Sequence, residues 1–537
     1  MNTGSRFQLQ RIANLLLFSI SVVPVLLFLY IVVQRIALPI DLEWGEGAGI
    51  NQIQRILSGR ALYIEPNLDF SPLVYTPLYY FISAAVAKVV EPVYLAARLV
   101  SVISTAASAF LLFWLVRRRT DEPMAGWLSA AFYIACFSLC GGYFDLVRVD
   151  ALYAFIALAG FVVFLKGNSA THYTAAGLLI VMGFFIKQSA VIVFLPIVFY
   201  LLIRDWKKAW ILLPVMLIGI LAPIAVANLL TENWFGYYIF TLPREHGFSI
   251  LSAVKFWTGD LMRYLGIALG FSAAFWIFRN AQNTQKEEAA ELDTRSARIS
   301  VNGVHEDEGP LIALFALGAV LGSWVTRSSN GGGANNLMLA YAAVALLFGL
   351  GVDRTLQRTQ AWREDGTKIN LLLTLLIAIQ FLGLYYNPFD YIPTADEVAA
   401  NERLIERIEQ SDRAVLIPYR SDLPARAGKQ TSIHAVNLFE LTGYFLGEVQ
   451  PAGRDIVRKI QLDICAQEFS LVVLDQAMPW FQTQVDFAYT QESIPLMPSP
   501  GRRSLQLLWQ EGYEQVFLPK ESYSLDLCLE SINQPEK

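Results

Sequence analysis

Residues 95–119 read LAARLVSVISTAASAFLLFWLVRRR. An apolar run at 95–116 is closed by Arg117, Arg118 and Arg119. About 20 apolar residues in a helix cross about 30 Å of hydrocarbon. The arginines then mark the cytosolic end, because Lys and Arg of short loops collect on that side. This run is one of about eleven apolar blocks of spanning length. They recur at 13–34, 95–116, 124–141, 151–166, 172–187, 189–203, 209–228, 262–278, 310–325, 337–352 and 369–386. Threading them back and forth puts every basic cluster on one side. Those clusters are Arg6 and Arg11; Lys166; Arg204, Lys207 and Lys208; Arg279; and Arg354, Arg358, Arg363 and Lys368. The same rule settles residues 77–90. Counting them as a span would place 117–119 outside. The segment is also short, carries Lys88 and ends at Glu91-Pro92. It is expected to lie as an interfacial or re-entrant helix on the outer face.

The composition agrees. Of 537 residues, 55% are hydrophobic and 16% charged, and mean hydropathy is +0.43. Soluble chains average about 45–50% apolar and about 25% charged. A net charge of −5 without a Lys/Arg stripe excludes a nucleic-acid partner. The block at 12–33 lacks the short apolar core and small-residue cleavage site of a signal peptide, so it reads as a retained first span with a cytosolic N-terminus.

The expected fold is an α-helical polytopic membrane protein with an extracytoplasmic α/β domain at its C-terminal end. Residues 1–386 form the membrane module, with a first outer loop at 35–94. A charged, aromatic-poor stretch at 279–309 reads as a cytosolic linker. Residues 387–537 form the outer domain. There, Ala414-Val-Leu-Ile-Pro418 and Ser470-Leu-Val-Val-Leu-Asp475 look like buried strands, and 397–411 has helical charge patterning. Cys136 and Cys140 fall in an apolar run as small core residues. Cys465 and Cys528 fall in the polar region and are able to pair if it lies outside the cytosol.

Sorted by side, the ionisable residues gather on the outer face. Asp41-Leu-Glu-Trp-Gly-Glu-Gly47 follows the first span and puts Asp41, Glu43 and Glu46 close together. Like charges this near raise one another's pKa, which suits a proton acceptor or a shared cation. The bland alternative is a solvated acidic loop. Gly141-Gly-Tyr-Phe-Asp-Leu-Val-Arg-Val-Asp150 sets Asp145, Arg148 and Asp150 at the membrane boundary. Ionisable groups there are costly and mark a site or an ion pair that staples helices. Phe185-Ile-Lys-Gln-Ser189 places Lys187 and Gln188 at an outer turn, where the lysine either binds a phosphate as a point charge or snorkels. Pro243-Arg-Glu-His-Gly247 adds Arg244 and His246. Arg327-Ser-Ser-Asn-Gly-Gly-Gly-Ala-Asn-Asn336 adds Arg327, Asn335 and Asn336 on a backbone able to wrap an anion or sugar hydroxyls. The four His lack metal-ligand spacing, and no Walker motif or Gly-x-Ser-x-Gly elbow is present.

The order of these motifs resembles the GT-C superfamily of polytopic glycosyltransferases, above all the bacterial group related to protein O-mannosyltransferases and aminoarabinose transferases. The resemblance runs over about residues 12–350. It rests on Leu42-Glu-Trp-Gly-Glu-Gly47, Gly59-Arg-Ala-Leu-Tyr63, PLVYTPLYY at 72–80, Asp145-Leu-Val-Arg-Val-Asp150, Ile186-Lys-Gln188 and the Asn335-Asn336 loop. It implies transfer of a sugar from a polyprenyl-phosphate donor to a glycan, lipid or protein acceptor, on the outer face of a bacterial cytoplasmic membrane, by base-assisted inversion. It implies a base in the first outer loop, where Glu43 falls nearest with Glu46 and Asp41 as neighbours, and a second acid at Asp150. The usual adjacent Asp-Glu pair is absent. Tyr75 lies in a Thr-Pro-Leu-Tyr-Tyr stretch that departs from Lys-Pro-Pro-Leu, so Lys187, Arg148 or Arg327 must supply the phosphate-facing charge. The remaining substrate contacts are expected from Asp145, Gln188, Arg244, His246, Asn335 and Asn336. The acids either hold a divalent cation (Mg or Mn) or act on protons alone. The rival class is a lipid-linked sugar or polysaccharide transporter, which places its polar groups nearer the midplane.

Overall fold

The computed structural model describes residues 3–167, 169–278, 308–360, 366–443, 451–474, 478–492 and 515–532. The expected linker therefore lies almost wholly outside the described residues. The membrane module consists of α1 (Thr3–Arg35), α2 (Glu46–Leu57), α3 (Leu78–Ala87), α4 (Val93–Thr120), α5 (Pro123–Ala135), α6 (Asp150–Leu165) and α7 (Ala170–Ile186). It continues with α8 (Ala190–Arg204), α9 (Trp206–Leu230), α10 (Tyr264–Ile277), α11 (Glu308–Arg327), α12 (Met338–Gln360) and α13 (Gly366–Gly383). Each apolar block is helical, with two corrections. The block at 124–141 stops being helix at Ala135, where the chain turns into a run ending at Gly141 and Gly142, both at positive φ. A π-helix, Phe256–Arg263, precedes α10.

Among the described residues, six helices are long and apolar enough to cross a membrane: α1, α4, α9, α11, α12 and α13. Helices α6, α7 and α8 have 16, 17 and 15 residues, at or below the lower limit for a full crossing. Their short ends carry Asp150, Lys187 and Ser189. The polar cluster thus sits where helices stop early. Helix α3, with 10 residues, is about 15 Å long and far too short to span.

Large apolar side chains such as Phe199 and Leu229 stay exposed on the bundle surface, as lipid-facing positions do. Inside, glycines permit close crossings. A Cβ at Gly318 of α11 would overlap the Val193 carbonyl of α8, and one at Gly351 of α12 would overlap the Phe271 carbonyl of α10. The arginines at 117–119, Lys166, Arg204 and Arg358 all lie at the helix ends opposite the one that carries Asp41 to Glu46.

The strands follow the last apolar helix. After α14 (Ala395–Glu409), closed at its start by a capping box of Thr394 and Glu397, come β1 (Ala414–Leu416), β2 (Phe469–Leu474), β3 (Tyr489–Gln491) and β4 (Gln515–Pro519). The sheet order is β1-β2-β4-β3. β1 runs parallel to β2, while β4 is antiparallel to both β2 and β3. Helices α15 (Ala435–Leu441), α16 (Pro451–Cys465), α17 (Gln482–Ala488) and α18 (Leu525–Ile532) complete the domain. A Cys465–Cys528 disulfide joins α16 to α18. Cys136 and Cys140 are free and buried.

The domain is not a loose appendage. One hydrophobic cluster unites Tyr63 and Phe70 of the first loop, Phe235 and Tyr238 after α9, and Leu416, Phe439 and Val472 of the domain. Hydrogen bonds reinforce the seam: Asn51 Nδ2 donates to Ser421 Oγ at 2.7 Å, and the Ile433 amide donates to the Leu68 carbonyl at 2.6 Å.

Candidate active site

The acidic loop folds because one of its carboxylates is spent on holding it. Glu46 is the first residue of α2 and is fully buried. Its Oε2 accepts from the Leu42 amide at 2.7 Å and from Arg98 Nη2 at 2.7 Å. Its Oε1 accepts from the Val147 amide at 2.7 Å and Arg98 Nε at 3.1 Å. Arg98 in turn donates to the carbonyls of Arg35, Leu38 and Ile40. Glu46 thereby ties the first loop, α4 and the Asp145-to-Asp150 segment together. Asp145 has a similar place. It takes a two-pronged bond from Arg35, 2.8 Å to Nε and 2.5 Å to Nη2, while Arg35 also donates to the Gly142 and Tyr391 carbonyls. Both acids are buried, with an arginine bonded to each of their oxygens.

Glu43 differs. Its Oε2 accepts from the Gly45 amide at 3.1 Å and from Arg148 Nη1 at 3.3 Å. Among the described residues its buried Oε1 accepts no well-formed hydrogen bond, and the Tyr143 hydroxyl is the side chain that stands against this carboxyl. Burial, with the charge of Glu46, pushes this carboxyl above the ordinary glutamate range, and Arg148, the Gly45 amide and the Tyr143 hydroxyl offset only part of that. Arg148 lies over the rings of Tyr75 and Tyr143, 5.9 and 5.5 Å from their centroids, and its Nε is also unpartnered. The Tyr75 hydroxyl, pushed up to about 12 by burial, feels the charges of Arg148, Asp150, Glu440 and Glu43.

Lys187 Nζ donates to Asp150 Oδ1 at 2.5 Å and to Asn336 Oδ1 at 2.7 Å. Asn335 Nδ2 donates to Asp150 Oδ2 at 3.0 Å. Lys187 and Asp150 are buried and line a small cavity with Tyr153, Ser323 and Thr326. Gln188 stays with the backbone, donating to the Val74 and Ile239 carbonyls. Arg327 pairs with Asp260 and donates to the Gly332 carbonyl, so it braces the glycine loop. Arg244 is exposed.

The C-terminal domain roofs this site. Trp44 meets Phe439 edge to face, with centroids 5.8 Å apart. His246 bonds Glu440 of α15. Burial lowers the His246 pKa, but the hydrogen bond and charge of Glu440 more than offset this, so it is raised overall. His434 is buried beside Arg148 and held neutral, its pKa brought down to about 3 by burial. Sequence reasoning missed Arg35, Arg98, Tyr143, Glu440 and His434. Arg98 alone carried a signal, as an arginine inside an apolar run.

Among the described residues, no group of three or more His, Cys, Asp or Glu comes together that could hold a metal. Glu46 and Asp145 are already saturated by arginines.

Residues 74–230 match the family model of dolichyl-phosphate-mannose-protein mannosyltransferases. The whole chain is similar in structure to ArnT from Cupriavidus metallidurans in the apo state, with a TM-score of 0.57 at 13% identity, covering 96% of this chain and 98% of that one. The chain shares its fold with this ArnT. ArnT bound to undecaprenyl phosphate is similar at a TM-score of 0.56 and 12% identity, over 94% of this chain and 98% of that one. The archaeal oligosaccharyltransferase AglB from Archaeoglobus fulgidus, in complex with an inhibitory peptide and a dolichol-phosphate, gives 0.51 at 10% identity, over 86% and 69%. No curated protein matches in sequence. The family match takes in Tyr75, Arg148, Asp150 and Lys187 but not Glu43 or the C-terminal domain.

Proposed function

We propose that the protein transfers a sugar from a polyprenyl-phosphate-linked donor to an acceptor hydroxyl or amine, at the outer face of a bacterial cytoplasmic membrane. The observation that carries this reading is the contrast among the loop acids. Glu46 and Asp145 each have both oxygens bonded by a buried arginine, while among the described residues Glu43 keeps a buried Oε1 with no well-formed hydrogen bond, beside a cation and the Tyr143 hydroxyl. A base must present a free oxygen at the reacting proton, and a carboxyl raised toward neutrality accepts that proton better.

In this reading Glu43 Oε1 takes the proton of the acceptor as it attacks the anomeric carbon. The bond from that carbon to the phosphate oxygen breaks, and its electron pair leaves with the phosphate. A single in-line displacement inverts the anomeric centre. Arg148 and Lys187 are the cations able to neutralise the departing phosphate. Asp150, with Asn335 and Asn336, holds the Lys187 ammonium in place. The similarity to an ArnT bound to undecaprenyl phosphate supports the donor class. The Cys465–Cys528 disulfide supports an oxidising compartment for the C-terminal domain, as do the basic helix ends opposite the site. The acceptor class, whether glycan, lipid or protein, is open to assay.

The test is transfer from synthetic polyprenyl-phosphate sugars by purified protein. Glu43→Gln should fold normally and lose transfer. Activity at the wild-type level in this variant would end the assignment.

A further inference from the structure

The C-terminal domain sends one carboxylate into the acidic loop. Asp422 is fully buried, and its Oδ2 lies 3.0 Å from the Tyr94 hydroxyl at the start of α4. The same hydroxyl bonds Oδ1 of Asp41. The two remaining oxygens, Asp41 Oδ2 and Asp422 Oδ1, are buried and have no partner. They converge on one point: a Cβ on Gly47 would stand 2.8 Å from each.

Proton counting constrains this group. A phenol has one hydrogen to donate and accepts through its oxygen. If both carboxyls were ionised, that one hydrogen would serve two buried anions whose other oxygens are bare, and like charges in such contact do not both ionise readily. If one carboxyl is protonated, it donates to the phenol oxygen and the phenol donates to the other carboxylate. Every short contact is then a proper hydrogen bond. We infer that Asp41 and Asp422 share a single proton through Tyr94, and that this protonated link positions the Glu43-bearing loop against the C-terminal domain.

The surroundings agree. Burial and the charge of Asp422 push Asp41 well above the usual carboxylate range. Burial also raises Asp422, with Arg426 opposing. The other charged groups facing the pair are Glu46, Arg420 and Arg426, and Arg98, which stacks on the Tyr94 ring at 4.9 Å. Glu46 is neutralised by Arg98, while Arg426 donates to the Pro39 carbonyl and Arg420 Nη1 to Asn401 at 3.2 Å. The sign follows from the raised pKa. The link is complete below the ordinary aspartate pKa and is lost as pH rises through the raised value. The shared proton is independent of what the protein transfers.

Hydrogen–deuterium exchange of the full-length protein in nanodiscs tests it, with protection corrected for the intrinsic pH dependence of exchange. Peptides covering 38–47 and 418–426 should lose protection by about tenfold between acidic and alkaline buffer, the scale for losing one hydrogen bond to a charged group. Asp422→Asn supplies the bridging hydrogens permanently, because its amide donates to Tyr94 and Tyr94 donates to Asp41. That variant should keep protection at all pH values, and Asp41→Asn should do the same from the other side. His246 and Glu440 are intact in both variants, so any residual pH effect confined to α15 belongs to that pair. Wild-type protection that does not change with pH overturns the inference. So does a pair of asparagine variants that lose protection with pH as the wild type does.

Discussion

Replacing Glu46 with Gln separates scaffold from chemistry. Glu46 receives four hydrogen bonds, two of them from an Arg98 that is fully buried. Glutamine keeps one acceptor oxygen. Its amide nitrogen must replace the other, facing either the Leu42 and Arg98 donors or the Val147 and Arg98 donors. Two bonds become donor-against-donor contacts, and the guanidinium loses its counter-charge. Removing one partner of a buried pair costs about 3–5 kcal/mol. Arg98 also orders the carbonyls of Arg35, Leu38 and Ile40, so the damage should reach the end of α1. The assay is thermal unfolding of detergent-purified variants, measured beside Glu43→Gln. Glu43→Gln should unfold nearer the wild-type midpoint, because its carboxyl accepts a single 3.3 Å bond from Arg148 and one from the Gly45 amide, both on one oxygen that glutamine retains. Glu46→Gln should unfold well below it and lose transfer in proportion to the folded fraction. A Glu46→Gln protein with wild-type stability and no transfer would refute the scaffold role and return Glu46 to the chemistry.

The remaining expectations are local. Lys187→Ala should strip Asp150 of its 2.5 Å partner and cut transfer by about 100-fold or more, the scale for losing one preorganised charge, with Lys187→Arg restoring part of it in the same assay. Gly47→Ala places a methyl within 2.8 Å of both Asp41 and Asp422, and should raise exchange at 418–426 at every pH. The raised His246 pKa means that its bond to Glu440 is complete below the ordinary histidine pKa and lost as pH rises through the raised value; nuclear magnetic resonance of labelled His246 should show that titration above the free-histidine position, and Glu440→Gln should bring it down. Reducing Cys465–Cys528 should raise exchange in α16 and α18 while leaving α4 and α6 unchanged, as mass spectrometry can show.

The helices were legible because each is an apolar block closed by basic residues, a local signal. Residues 77–90 were separable from the spans by the side on which 117–119 must fall. The strands at 414–416 and 469–474 were legible as short apolar runs with polar flanks. The division of labour among the acids was not. Asp41, Glu43 and Glu46 look alike in sequence. Their roles are fixed by Asp422, Arg148 and Arg98, partners 381, 105 and 52 residues away. Arg35 read as the ordinary end of a first span, and only packing turns it toward Asp145. The domain's Asp422, His434 and Glu440 sit in a segment of average composition, where nothing local marks them as neighbours of the first loop.

The central claim is that Glu43 drives sugar release from a polyprenyl phosphate. Purified protein incubated with a panel of polyprenyl-phosphate sugars and a membrane extract as acceptor source, followed by mass spectrometry of free polyprenyl phosphate, tests it most directly. Wild type should release the lipid phosphate from at least one donor and attach its sugar to an extract component, and Glu43→Gln should do neither. Movement of intact donor across the bilayer with no glycosidic bond broken or formed, or equal release by Glu43→Gln, would contradict it.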